Sequence, residues 1–200
     1  MKPIIYLATQ NRHKIDEIKD LLGDLFDFRT VFDLGLAVEI PETGKTLTEN
    51  SRQKAQYIAQ NFGGITCLAD DSGLEVEALG GAPGVYSARY AGEHKSDSAN
   101  MAKLMHALAG SVNRQARFVT ILTLHHRGKF YVFEGEIQGH IEAEQRGSNG
   151  FGYDPIFVPE GLTKTFAELS LAEKNQIAHR ARALQKFKKF VLDDQIFEGH

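Results

Sequence analysis

Hydrophobic positions along the chain change their spacing several times, and each change marks an element. Lys2 to Ala8 (KPIIYLA) is an apolar run of strand length. Thr9-Gln10-Asn11 follows with capping side chains, and Ile15, Ile18, Leu21 and Leu22 then recur at helical spacing. Strand-like apolar residues return between Phe28 and Ile40, before the loop Pro41-Glu42-Thr43-Gly44-Lys45. Thr46-x-x-Glu49 has capping-box spacing and opens a helix whose Ala55, Ile58, Ala59 and Phe62 share a face, with Gly63 to end it.

Ile65 to Ala69 is a short apolar run that reads as a buried strand ending in the turn-like Asp70-Asp71-Ser72-Gly73. After the glycine-rich turn Gly80-Gly81-Ala82-Pro83-Gly84, the residues Met101, Leu104, Met105 and Leu108 predict a helix closed by Gly110. Three β-rich runs, 116–124, 129–135 and 136–141, predict a meander with His125 and His126 at a hairpin tip, so the sheet should be mixed. Residues 147–155 are too rich in glycine for a strand, and a backbone that bare can approach a flat ligand. Ser170-x-x-Glu173 is a second capping box, before a helical stripe of Ile177, Ala181, Leu184, Lys188 and Val191.

Two of these junctions carry chemistry. Successive strand side chains point to opposite faces, so Asp70 and Asp71 cannot serve one site unless the turn has begun by then, and two roles are expected of them. A carboxylate pair beside a glycine suits a hard cation such as Mg²⁺, although Asp-Ser-Gly is also ordinary turn chemistry. The strand, polar loop and helix from Lys2 to Leu22 leave backbone N–H groups and a positive dipole end at the loop, with Lys14 one turn from Asn11, which suits a phosphate. Neither a Walker loop nor a GxGxxG follows any strand.

Composition narrows the classes. Two hundred residues at 42% hydrophobic content can bury a sizeable core, and the length fits one domain over 1–200. A net charge of -3 with a pI near 6.2 argues against neutralising a nucleic-acid backbone, so an anionic ligand must be met locally. No apolar run reaches membrane-spanning length, no signal segment opens the chain, and the lone Cys67 has no disulfide partner, which together predict a cytoplasmic protein. None of the eight histidines has zinc-ligand spacing. Lys186, Lys188 and Lys189 read as a solvated helix face.

Six blocks in order carry a resemblance over the whole chain: Thr9-x-Asn11-x-x-Lys14-x-x-Glu17, Glu42-Thr43-Gly44, Asp70-Asp71-Ser72-Gly73, Gly80-Gly81-Ala82-Pro83-Gly84-x-Tyr86-Ser87-Ala88-Arg89, Phe151-Gly152-Tyr153-Asp154-Pro155 and Lys174…His179-Arg180. Together they resemble the inosine triphosphate pyrophosphatase family. That resemblance implies an α/β fold: three α/β/α layers on a mixed central sheet, elongated and two-lobed, with the active-site cleft between the lobes. It also implies hydrolysis of non-standard purine nucleoside triphosphates (ITP, dITP and XTP) to the monophosphate and pyrophosphate by a Mg²⁺-dependent homodimer. By position, Thr9, Gln10, Asn11, Arg12, His13 and Lys14 would cradle the phosphates. Glu42 and Asp71 would hold the metal, and Asp71 would also be the general base. Ser72, Phe151, Gly152, Tyr153, Asp154, Lys174, His179 and Arg180 would bind the rest of the substrate. Gln10 stands where the family often has glycine, and Ala178 where a serine often precedes His-Arg. A non-catalytic nucleotide-binding module would not need Glu42, Asp70 and Asp71 together; a metal-dependent phosphatase remains open because it uses the same groups.

The C-terminal block poses a geometric question. In an unbroken helix from Ser170, Lys174 and His179 would point roughly 140° apart and Arg180 roughly another 100° on. Either the helix breaks or one of the three lies outside the site, and a bend or fresh helix start near Asn175 to His179 is expected. Arg180, which can only donate, then suits the 6-keto oxygen of hypoxanthine or xanthine.

Overall fold

The computed structural model describes residues 1–36, 39–194 and 196–197. In chain order it forms β1 (Ile4–Ala8), α1 (Arg12–Leu22), β2 (Asp27–Thr30), α2 (Leu47–Asn61), β3 (Cys67–Val76), α3 (Asp97–Ala107), β4 (Gln115–His126), β5 (Lys129–Ile141), β6 (Phe157–Pro159), α4 (Leu171–Ile177) and α5 (His179–Asp193). The strands lie in one sheet in the order β2-β1-β3-β4-β5-β6. It is mixed: β1 runs parallel to β2 and β3, whereas β5 is antiparallel to β6.

The capping residues act where their chemistry predicts. The Asn11 side chain accepts the Lys14 N–H at the start of α1, and complete capping boxes at Thr46/Glu49 and Ser170/Glu173 open α2 and α4. The run from Phe28 to Ile40 yields only β2 and a 3₁₀ turn at Val31–Leu34, with Ala37 and Val38 outside the described residues.

Two expectations change. The acidic pair does not end a strand, because β3 continues through Asp70, Asp71, Ser72 and Gly73 to Val76. Gly73 belongs inside it: a Cβ there would strike the backbone carbonyl of Gly84. The three β-rich runs after Gln115 resolve into two strands, and His125 and His126 end β4 rather than forming a tip. The tip is Arg127-Gly128, with φ of 49° and 76°, as the two-residue hairpin turn between antiparallel strands requires.

The chain divides into two compact units, Met1–Asp71 with Thr120–Gly135 and Arg180–His200, and Ser72–Val119 with Glu136–His179. Within the first, strand alternation sorts side chains into two layers of core. Ile5, Leu7, Leu68 and Leu122 pack with Ile15, Ile18 and Leu22 of α1 and with Leu184 and Phe187 of α5. Cys67 and Ala69, the neighbours of Leu68 on β3, instead pack with Ala55 and Ile58 of α2. Helices thus cover both sheet faces in this unit, and each fully buried Leu or Phe stabilises it by roughly 1.5–3 kcal/mol. Cys67 is a small buried hydrophobe there; burial pushes its thiol up to about 12, so it stays protonated. In the second unit, Leu74, Val76, Phe118, Ile137 and Ile141 pack with Met101, Leu104 and Leu108 of α3 and with Phe157 and Phe166.

The C-terminal helix is broken where the side-chain geometry requires it. α4 ends at Ile177, Ala178 adopts an extended conformation (φ -64°, ψ 153°), and α5 starts at His179. The stripe is interrupted with it: Ala181, Leu184 and Val191 are buried, whereas Lys188 is exposed beside Lys186 and Lys189.

Candidate active site

Because β3 continues through the acidic pair, Asp70 and Asp71 point to opposite sides of the sheet. Asp70 shares the face of Leu68 and meets α1 and α5. Its Oδ1 accepts from Lys14 Nζ at 2.6 Å and its Oδ2 from Arg180 Nε at 2.7 Å. Arg180 also donates through Nη1 to Glu17, a short contact between two fully buried groups. Burial opposes the charge on Asp70, but the Arg180 guanidinium and then the Lys14 ammonium overcome it and hold the carboxyl far below the usual carboxylate range. The same carboxylates raise the pKa of Arg180 against its own burial.

Asp71 shares the face of Cys67 and Ala69 and meets α2. Lys54 Nζ donates to Asp71 Oδ1 and to Glu42 Oε1, both at 2.8 Å. Lys54 is buried, and although burial disfavours its charge, Asp71 and Glu42 keep its pKa raised. Asp71 is placed less favourably. Burial is the largest influence and raises its pKa; Lys54 and Lys14 offset part of this, and Glu42 adds to it. Both pKa values rise, which favours the charge on Lys54 and disfavours it on Asp71, because one ammonium serves two carboxylates that repel each other. Asp71 Oδ2 is buried and accepts no hydrogen bond from the protein. A buried carboxylate oxygen left without a donor is costly.

That oxygen tests whether the site suits a metal. Among the described residues no three His, Cys, Asp or Glu side chains gather into a cage. Mg²⁺ does not need one, since it is commonly held by one or two carboxylates together with substrate phosphates. Glu42 and the unpaired oxygen of Asp71 form such a hard, oxygen-only pair, so the residues fit the ion.

The residues expected to cradle the phosphates lie where β1 passes into α1. Thr9 is buried and its Oγ1 accepts the Asn11 N–H at 3.2 Å; Gln10 is half-buried, and Asn11, Arg12 and His13 are exposed at the start of α1. The first N–H groups of a helix lack intrahelical acceptors and carry its positive dipole end. Lys14 follows one turn in, with its ammonium on Asp70.

Ser72 and, apart from Arg180, the residues expected to bind the rest of the substrate belong to the second unit. Asp154 is buried and accepts from Phe151 N–H at 3.0 Å and from Lys174 Nζ at 2.7 Å. The Lys174 ammonium also lies 5.0 Å from the centre of the Phe151 ring. The loop wraps so closely that a Cβ on Gly150, already at φ +74°, would collide with the Asp154 carboxylate. Gly152 N–H donates to Asp97, and Tyr153 Oη donates to Ser87 carbonyl at 2.9 Å. The His179 ring stacks on Phe118 at 4.7 Å and 11°. Ser72 is half-buried on β3.

The geometry also gives Arg180 partners within the protein. Arg180 donates through Nε to Asp70 and through Nη1 to Glu17, both in the first unit. A guanidinium with 1% of its surface exposed has to be neutralised, and β3 turns Asp70 onto the side from which α5 delivers it.

Two residues are given no role by the motif reading: Lys54, which lies in none of the six blocks, and Glu17, which closes the first. Lys54 was legible as an anomaly: Leu47, Asn50, Ser51, Lys54, Ala55 and Ile58 form the buried stripe of α2, and a lysine on an apolar stripe requires a partner. Glu17 lies off the apolar stripe of α1 and is buried against Arg180, which arrives from the far end of the sequence. The first motif block contains it, but nothing local names its partner.

The profile of the Ham1 family matches residues 5–190. A dITP/XTP pyrophosphatase of Flavobacterium johnsoniae is 48% identical over 182 residues, which is 91% of this chain and 94% of that protein. Among solved structures, the Staphylococcus aureus Ham1 protein superposes with a TM-score of 0.87 at 41% identity, covering 96% of this chain and 99% of its own. A HAM1 protein from Coxiella burnetii gives 0.87 at 39% identity, with 96% and 99% covered.

Proposed function

The chain belongs to the Ham1 family, and from that premise we propose that it hydrolyses non-standard purine nucleoside triphosphates (ITP, dITP and XTP) to the monophosphate and pyrophosphate, using Mg²⁺. It is a hydrolase acting on nucleoside triphosphates, as its relatives named dITP/XTP pyrophosphatase support. The observation that carries the catalytic reading is Asp71, buried beside Lys54 and Glu42 with one carboxylate oxygen unused by the protein.

In this reading Asp71 takes the proton of the attacking water. The α–β anhydride breaks, the water's oxygen joins one phosphorus, and the bridging oxygen leaves with the other. Glu42 and Asp71 would hold Mg²⁺, which when bound neutralises phosphate charge and polarises the anhydride. Lys54 holds both carboxylates in place. Lys14 and the N–H groups that open α1 receive the triphosphate. Phe151 stacks on the base, with Gly152, Tyr153, Asp154, Lys174 and His179 shaping its surroundings and Ser72 beside the catalytic carboxylate in sequence. Arg180 we assign to holding Asp70, and through it Lys14, rather than to the base. A homodimer in the cytoplasm is part of the same proposal. Among the described residues no helix is long and apolar enough to cross a membrane.

Product analysis tests the reaction. ITP with Mg²⁺ should give the monophosphate and pyrophosphate; diphosphate with orthophosphate would sink the reading. The pKa of Asp71 supplies a second test. Its catalytic form is the anion and burial raises its pKa, so activity should be lost on acidification at a pH above the value of about 4 typical of a free carboxyl. Removing the nearest cation, as in Lys54→Met, should move that limb of the kcat/KM profile to still higher pH. An unmoved limb would separate Lys54 from the base. Lys14→Ala should weaken pyrophosphate binding roughly ten- to hundredfold, as expected for one charge-assisted hydrogen bond, with a loss that shrinks as salt rises. Calorimetric titration with pyrophosphate at two ionic strengths measures it, and parental affinity would exclude the lysine from the phosphate site.

A further inference from the structure

The loop carrying Glu42 has no regular structure of its own, yet almost every residue in it is held by the first two turns of α2. Glu42 Oε1 accepts from Lys54 Nζ at 2.8 Å. Thr43 is bound twice by the Gln53 amide, which accepts the Thr43 N–H and donates to Thr43 Oγ1, each at 2.9 Å. Gly44 N–H donates to Asn50 Oδ1 at 2.8 Å, and Lys45 N–H to Glu49 Oε2 at 2.6 Å. The backbone lies so close that a Cβ on Gly44 would come within 2.6 Å of Glu49 Cβ and 2.8 Å of Asn50 Oδ1.

Glu49 is accounted for by the capping box, and Lys54 by the carboxylates. Asn50 and Gln53 are not. Asn50 is fully buried, and its Nδ2 has no hydrogen-bond partner in the protein. An apolar residue there would avoid that unsatisfied donor. The gain is at the other end of the amide, where Oδ1 fixes Gly44 two residues from Glu42. The same helix delivers Lys54 to Asp71, so a loop locked to α2 is also locked to the catalytic carboxylate.

We propose that Asn50 and Gln53 are positioning residues that set Glu42 against Asp71 by templating the 42–46 loop on α2, so that the two carboxylates are spaced for one divalent cation before substrate arrives. This rests on the reading of Glu42 as a metal ligand. Pre-arranged ligands bind more tightly because the loop's ordering is already done in the free protein.

The test measures Mn²⁺ binding to the nucleotide-free protein by electron paramagnetic resonance, alongside amide hydrogen exchange in the loop. Asn50→Ala and Gln53→Ala should each weaken Mn²⁺ binding about tenfold, within the range for losing a residue that orients a ligand, and should speed exchange at the amides of Thr43 and Gly44. Asn50→Asp, which keeps an acceptor for Gly44 N–H, should restore slow exchange at Gly44. Gln53 is half-exposed, so its variant folds even if the buried Asn50→Ala does not. Glu42→Gln separates the two ideas. If it weakens Mn²⁺ binding while Asn50→Ala and Gln53→Ala do not, the positioning proposal falls alone; if it leaves binding unchanged, the metal reading falls and takes the proposal with it.

Discussion

Asp71→Asn should lower kcat by about 10²–10⁴-fold, the range for removing a general base, while the protein stays folded and still binds nucleotide. The substitution is nearly isosteric. Asparagine keeps an oxygen to accept from Lys54 Nζ, the bond Asp71 makes at 2.8 Å. Its new Nδ2 replaces Oδ2, which accepts nothing from the protein, so no internal hydrogen bond is broken. The anion disappears, and with it the proton acceptor and half of the proposed metal pair. Pyrophosphate release measures kcat, and equilibrium binding of ITP checks that the pocket survives. Parental turnover would remove the base assignment. Asp70→Asn should behave differently, because Asp70 faces Lys14 and Arg180 on the other side of the sheet and acts on the reaction only through them.

Arg180→Ala should cost about 3–5 kcal/mol of stability, the range for breaking a buried ion pair from one side. It would leave Asp70 and Glu17 in the core, with Lys14 still donating to Asp70. For a chain of this length that corresponds to a fall in Tm on the order of 10 °C. Replacing Asp70 by Asn as well should recover part of the loss, since the double variant no longer strands that charge. Additive effects would show that the pair is not coupled. The same network sets the response to acid. The pKa of Asp70 lies well below its unfolded value, so its contribution is fully present above pH about 4 and is lost progressively as pH falls below that. Denaturant midpoints of the parent and of Asp70→Asn between pH 3 and 6 should therefore converge towards the acid end.

Much of this molecule was decided over short stretches of sequence. Asn11, Thr46 with Glu49, and Ser170 with Glu173 cap helices by contacts three residues long, which any chain with those residues can make. The opposition of Asp70 and Asp71 follows from strand alternation alone, and it survived even though the expected turn became four more strand residues and beyond. The break at Ala178 followed from helical geometry applied to Lys174, His179 and Arg180. The pairing of charges was beyond local reasoning. Arg180 reaches Asp70 across 110 positions and Glu17 across 163, and Lys54 reaches Asp71 across 17, because the strand order sets α1 and α5 on one face of β3 and α2 on the other. A stripe can show that a buried lysine or arginine needs a counter-charge, since burial without one is prohibitive. Which carboxylate answers depends on which elements the sheet brings together, and that is a property of the fold.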